Sequence, residues 1–199
     1  MVWVGEIPGG PVIIPPSSGN TVKFTDISGH WAEQAIRKLA KEGVINGKSN
    51  TVFAPEDTMT RAEFAALIRR ALGLNLVLYK GECADISGGE WYASEIQTIL
   101  SAGIMSGDGD ENFRPNEEIS RQEMAKVIVN AYLLKAGAAD VTAGEPGFAD
   151  TGEIAGWAKE YVGKAVSLNP ITGLDDNTFR PHASTTRAQG AAVINRLIG

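Results

Sequence analysis

The chain has 199 residues and 43% hydrophobic content, enough for a packed core, so intrinsic disorder is not the default. Its net charge of −6, its pI near 5.0 and the lack of any Lys/Arg run exclude the basic footprint that nucleic acid or an anionic membrane surface requires. A single cysteine, Cys83, rules out an internal disulfide and argues against a Cys-based metal site, and it reads as a small buried hydrophobe.

No signal pattern follows Met1, and no apolar stretch reaches the roughly 18 residues of a membrane span. The sequence is therefore either cytoplasmic or a piece cut from something longer. Residues 1–20 differ from the rest. Pro8-Gly9-Gly10-Pro11 and Pro15-Pro16-Ser17-Ser18-Gly19 oppose both helix and central strand and read as a linker, with Val2-Trp3-Val4 as the tail of an upstream domain.

From Phe24 onward one unit occurs three times, giving expected repeats at 21–80, 81–144 and 145–199 within one compact domain. The first copy runs Phe24-Thr25-Asp26, Trp31, Gly43-Val44-Ile45-Asn46-Gly47, Phe53-Ala54-Pro55 and Thr60-Arg61-Ala62-Glu63. The second runs Cys83-Ala84-Asp85, Trp91, Gly103-Ile104-Met105-Ser106-Gly107, Phe113-Arg114-Pro115 and Ser120-Arg121-Gln122-Glu123. The third runs Phe148-Ala149-Asp150, Trp157, Asn169-Pro170-Ile171-Thr172-Gly173, Phe179-Arg180-Pro181 and Thr186-Arg187-Ala188-Gln189. The same pair of spacings separates the tryptophans, the prolines and the arginines, which identifies a tandem repeat.

Each copy predicts helix, loop, helix. After the Trp, Ile36, Leu39 and Ala40 (or Ile96, Ile99 and Leu100) fit a first helix of about three turns. Gly43, Gly103 and Asn169 stand where a left-handed stop is expected. The second helix opens at the tetrad, and its apolar positions follow helical spacing: Phe64, Leu67, Ile68, Ala71; Met124, Val127, Ile128, Ala131; Gly190, Val193, Ile194, Leu197. Little β structure is expected. No copy can bury its apolar face alone, so three hairpins must pack on one another, most simply about a pseudo-threefold axis with the second helices central and like grooves between neighbours.

The outer residues of the tetrad form a capping box, with Ser or Thr holding the third helical amide and Glu or Gln reaching back. The Arg has no such role, and the positive end of the helix dipole disfavours it by about 0.3–1 kcal/mol. Free N–H groups at a helix start plus a guanidinium make a receptor for a carboxylate or phosphate.

These landmarks, taken in order over residues 21–199, resemble the S-layer homology (SLH) domain, which occurs as three tandem motifs on exported proteins of Gram-positive and related bacteria. The resemblance implies an all-α three-pronged spindle with a central three-helix bundle. It also implies non-covalent anchoring to secondary cell-wall polysaccharide through pyruvylated N-acetylmannosamine, in an extracellular, cell-surface location. The family's ligand-contacting arginine carries over onto Arg61, Arg121 and Arg187. Two departures, Gln122 in the second tetrad and Gln189 in the third, put those sites in question without removing the Arg or the cap.

The alternative for the arginines is an ion pair fixing neighbouring repeats, with Asp26, Asp85 or Asp150 as partners. Those aspartates either touch sugar, cap the first helix or brace the Arg. Trp31, Trp91 and Trp157 are either groove walls or core anchors. Gly47, Gly107 and Gly173 serve a turn and offer backbone N–H groups to a ligand. Ser106-Gly107-Asp108-Gly109-Asp110-Glu111 lacks the acid spacing of a calcium loop and reads as a solvated turn. No nucleophile, zinc or phosphate-loop motif is present, so no enzyme, metal or cofactor is expected, and the chain is expected to be a monomer. The competing function is a helical-repeat scaffold that binds a protein partner through the same grooves.

Overall fold

The computed structural model describes residues 23–137 and 140–199, so the expected linker over residues 1–20 lies outside the described residues. The described residues form six α-helices: α1 (Glu33–Lys41), α2 (Arg61–Ala71), α3 (Ala93–Ser101), α4 (Arg121–Ala136), α5 (Lys159–Ser167) and α6 (Arg187–Ile198), with a short 3-10 turn at Thr151–Glu153. Among the described residues β pairing is confined to three isolated bridges, Thr58 with Thr186, Thr60 with Glu118 and Ser120 with Ser184. The fold is all-α, as the periodicity predicts.

Helix ends form where local chemistry predicts them. The side chains of Thr60, Ser120 and Thr186 accept from the backbone N–H three residues on, and Glu63, Glu123 and Gln189 reach back to the cap, so all three capping boxes are complete. The first helices stop at Gly43, Gly103 and Asn169, with φ of 73°, 68° and 64°. Behind the first two stops, Val44 N–H and Ile104 N–H bond back to Leu39 and Ile99 (2.9 and 3.1 Å), closing the left-handed cap. Pro170 has no N–H, so the third copy lacks that bond and keeps only Asn169 N–H to the Val166 carbonyl, at 3.0 Å.

The first helices differ among themselves in burial, since α3 buries five successive residues from Glu95 to Ile99. α1 buries Ile36, Leu39 and Ala40, one stripe. α2, α4 and α6 bury residues on more than one side, including Phe64, Ala65 and Ile68, then Met124, Ala125 and Val129, then Ala188, Ala191 and Ile194, as interior helices do. α6 packs against both α2 and α4. A Cβ at Gly190 would stand 2.7 Å from the Met59 sulfur, so the third copy has no side chain where the others carry Phe64 and Met124.

The expected hairpins are corrected in one respect. Each first helix packs not on its own copy's second helix but on that of the preceding copy: α3 on α2, α5 on α4, and α1 on α6. Periodicity shows that a helix has an apolar stripe and is silent about which neighbour covers it. Arg69 and Arg70 of α2 hold Glu95 of α3 across one such contact.

The order is cyclic, and a closed ring of backbone bonds marks it. Met59 N–H donates to the Thr185 carbonyl (3.0 Å), Thr185 N–H to the Ile119 carbonyl (2.9 Å), and Ile119 N–H to the Met59 carbonyl (3.1 Å). All three residues are fully buried. Two of the ring side chains are apolar, whereas the Thr185 hydroxyl has no hydrogen-bond partner among the described residues. A buried orphan hydroxyl costs about 1–3 kcal/mol. Thr185→Val, which keeps shape and removes the hydroxyl, is expected to raise the melting temperature, by an amount equivalent to about 1 kcal/mol. Thermal unfolding of the pair checks this, and a lower melting temperature in the valine variant would contradict it.

Candidate functional site

The site begins with a turn. In Phe-x-Pro the middle residue, Ala54, Arg114 or Arg180, has a left-handed φ of 59°, 58° or 55°. That is a costly conformation for a residue with a Cβ, and more so before proline. The strained turn is held by the aspartate of its own copy. Asp26 accepts from Phe53 N–H (2.9 Å) and Ala54 N–H (2.6 Å), Asp85 from Phe113 (2.9 Å) and Arg114 (2.6 Å), and Asp150 from Phe179 (2.8 Å) and Arg180 (2.6 Å). The aspartates therefore brace the turn. Capping of the first helix, one of their expected roles, does not occur, because α1, α3 and α5 start without a side-chain cap.

The braced turn points its carbonyls at the preceding copy's tetrad. Arg61 Nε donates to the Phe113 carbonyl (2.9 Å), Arg121 Nε to Phe179 (2.6 Å) and Arg187 Nε to Phe53 (2.9 Å). Each guanidinium also lies over the ring of that phenylalanine, 4.9, 5.2 and 4.6 Å from its centre. The helix-start amides are consumed as well. Arg61 and Ala62 N–H donate to Glu117 and Pro115, Arg121 and Gln122 to Ala183 and Pro181, and Arg187 and Ala188 to Asp57 and Pro55, all within 2.8–3.0 Å. The expectation of free amides at the helix starts is thus overturned, since the third helical amide is taken by the cap. What remains for a ligand is the outer edge of each guanidinium.

Those edges differ between copies. Arg61 donates Nη1 to Glu123 Oε1 (2.6 Å) and Nη2 to the Ser106 carbonyl (3.2 Å). Arg187 donates Nη2 to the Asn46 carbonyl (2.8 Å). Burial pulls its pKa below the ordinary arginine value, against the nearby carboxylates of Glu63, Asp57 and Asp26. Arg121, 5% exposed, is also pulled down by burial, and the charge of Arg180 adds to that effect while Asp150 opposes it. No arginine of the tetrads forms an ion pair with Asp26, Asp85 or Asp150 among the described residues; the carboxylate that pairs with Arg61 is Glu123.

Among the described residues, two grooves open above these edges are each lined by all three copies. One combines Arg61 of the first copy, Gly107 and Glu123 of the second and Trp157 of the third. The other combines Arg121 of the second, Gly173 and Gln189 of the third and Trp31 of the first. Trp31 and Trp157 are 64% and 50% exposed, so they are walls. Trp91 is half-buried, edge-on to Tyr92, at the margin of the core. The glycines are there for close approach. A Cβ at Gly47 or Gly173 would lie 2.3 or 2.6 Å from the ring of Phe24 or Phe148, and one at Gly107 2.5 Å from the Asn112 carbonyl. In the acidic turn, Asp108 accepts from Asp110 N–H and pairs with Arg114 Nε (2.9 and 2.7 Å), so its carboxylate is engaged by the protein.

No repeat in the sequence marks Lys126, whose Nζ lies 5.8 Å from the centres of both the Trp157 and Tyr161 rings. Other site residues outside the sequence expectations are Arg180 and Arg196 beside Arg121, and the phenylalanine under each guanidinium. The recurrence of Phe before x-Pro was the available signal for the last of these. Gln122 departs from the first tetrad for a structural reason: its Oε1 accepts from Ala155 N–H of the third copy at 3.1 Å.

The family profile described as S-layer homology domain matches residues 23–65, 84–125 and 147–191. "Exoglucanase XynX" of Acetivibrio thermocellus is 38% identical over 178 residues, covering 89% of this chain and 16% of its own length. "Surface-layer 125 kDa protein" of Lysinibacillus sphaericus is 34% identical over 193 residues, 94% of this chain and 16% of its own. "S-layer protein sap" of Bacillus anthracis is 31% identical over 184 residues, 92% and 22% respectively. The chain therefore spans less than a quarter of the length of these relatives.

The turn brace is sensitive to pH. For Asp26 and Asp150, burial pushes the carboxyl up, but the amide bonds it accepts outweigh this and hold it below the ordinary 3.8. A folded pKa below the unfolded one means stability that is complete above 3.8 and lost as pH falls through the depressed value. Asp150→Asn is expected to melt below the wild type at neutral pH, with the gap narrowing under about pH 4. Melting curves over that range test this; a gap that stays constant into acid would contradict it.

Proposed function

The chain belongs to the S-layer homology domain family, and from that premise we propose that it anchors a larger exported protein non-covalently to the wall of a Gram-positive bacterium. The ligand is a pyruvylated secondary cell-wall polysaccharide, recognised through pyruvylated N-acetylmannosamine. The site of action is extracellular, at the cell surface. The same segment occurs in relatives named as an exoglucanase and as S-layer proteins. A module common to parents so different supports a role independent of either, which is attachment.

One observation carries the reading: in each copy a guanidinium, buried at Arg61 and Arg121 and half-buried at Arg187, rests on a phenylalanine ring with its inner nitrogen tied to the next copy. A cation held this rigidly loses little entropy when it meets a planar anion, and the pyruvate ketal offers one. Charge-assisted bonds of that kind contribute about 1.5–3 kcal/mol each. An exposed indole beside the cation supplies a flat face for the sugar ring or the ketal methyl. A repeating polymer offers such a groove many copies of the same group, so a released unit is readily replaced by its neighbour on the same chain. Among the described residues no helix is long and apolar enough to cross a membrane.

Pull-down on purified sacculi, before and after the polysaccharide is stripped, tests the assignment. Retention is expected on intact walls and loss on stripped ones; equal retention on bare peptidoglycan would favour a different partner. Arg121→Lys keeps the charge and removes the planar fork, so it should weaken binding about tenfold while leaving the helical signal intact. Removing the pyruvate from the sugar should weaken it at least as much.

A further inference from the structure

The fourth residue of each tetrad has two arms, and only one is needed for the cap. In the second copy Glu123 Oε2 accepts from Ser120 N–H (2.9 Å), and its other oxygen accepts from Arg61 Nη1 (2.6 Å). The protein thus places its own carboxylate where a ligand's would go. Arg61 bonds to the protein through all three of its nitrogens, Nε, Nη1 and Nη2.

In the third copy the residue is Gln189, and the groove it lines is that of Arg121. Its Oε1 accepts from Thr186 N–H at 3.2 Å. Only the amide oxygen can accept, so the remaining arm is the NH₂, a donor. Arg121 bonds through Nε alone, and neither Nη has a hydrogen-bond partner among the described residues. Two sets of donors therefore line one groove without an acceptor from the protein.

The wider lining follows the same sense. The Arg61 groove holds Arg61, Arg114 and Lys126 against Asp108, Glu117 and Glu123, an even balance. The Arg121 groove holds three arginines, Arg121, Arg180 and Arg196, against Asp175 and Asp176. Asp176 is already tied to Arg180 Nη2 at 2.6 Å. At the third junction Arg187 has the charge of Glu63 beside it. The three junctions are not equivalent.

We propose that the Arg121 groove is where this chain holds a ligand carboxylate, and that Gln189 keeps it open by capping α6 without supplying a competing negative charge. The proposal rests on the carbohydrate-anchoring reading for the nature of the ligand. A carboxylate seated there accepts from the Arg121 fork and from the Gln189 amide, and Trp31 stands at the rim for the attached sugar. The Arg61 groove, neutralised from within by Glu123, offers the same group no net attraction. A single Glu-to-Gln difference thus sets which groove takes the anion.

The test exchanges the two residues, since either one completes the capping box. Isothermal calorimetry with the pyruvate ketal of N-acetylmannosamine is expected to give one site per wild-type chain. Gln189→Glu should weaken it at least about tenfold, and Glu123→Gln should add a second site. In parallel, sodium pyruvate is titrated into the wild type while side-chain ¹⁵N signals are followed, a readout that needs no variant to fold. The Arg121 Nη and Gln189 Nε2 signals are expected to shift and the Arg61 signals to stay. Wild-type affinity in Gln189→Glu overturns the groove assignment and leaves the anchor reading standing. Absence of sugar binding with an Arg121-specific pyruvate shift sinks the sugar and keeps the groove. Equal shifts at Arg61 and Arg121, or none, overturn the proposal.

Discussion

The structure depends on how one helix start is seated. At each junction the first two amides of α2, α4 or α6 and the arginine Nε meet carbonyls of a single turn in the next copy. The positive end of a helix dipole faces oxygens, and the cation that would be misplaced at an isolated helix start is led over an aromatic ring to a further carbonyl. The seat fixes the direction of the interior helices. It also fixes the height at which each guanidinium edge emerges, so the grooves are a by-product of the joint that holds the copies together.

Much of this was legible in the sequence, but unevenly. Capping boxes at Thr60, Ser120 and Thr186 and the stops at Gly43, Gly103 and Asn169 depend on a few adjacent residues, and such local chemistry is written in order along the chain. The stripe of α1 was readable too, yet its partner α6 was not, because a 3.6-residue period says which face is apolar and nothing about what covers it. The aspartates were misjudged in part for the same reason. Asp26 meets the amide of Phe53, 27 positions away, and no spacing rule announces that. The assumption of free helix-start amides failed because the carbonyls that satisfy them belong to the neighbouring copy.

Assembling each groove from three copies changes how a substitution should be read. Gln189 sits in the tetrad of the third copy but lines the groove of an arginine from the second, walled by a tryptophan from the first. Comparing tetrads one by one suggests that a Gln in the last position damages the site in its own copy. In the folded protein it completes the same cap and alters someone else's pocket. Gln122 is the converse: a departure beside an arginine that serves to hold Ala155 of the next copy.

The cyclic order has a consequence for synthesis. Arg187 bonds to Phe53 and Asn46 across 134 and 141 residues of chain, and α1 has no cover until α6 arrives. A nascent polypeptide that has emerged only through its second copy holds the turn around Phe53 without the helix that plugs it. Such a chain presents a sticky half-shell. Contacts this distant in sequence slow the search and expose apolar surface meanwhile, so the circle is best closed by a polypeptide kept unfolded until its third copy has been made.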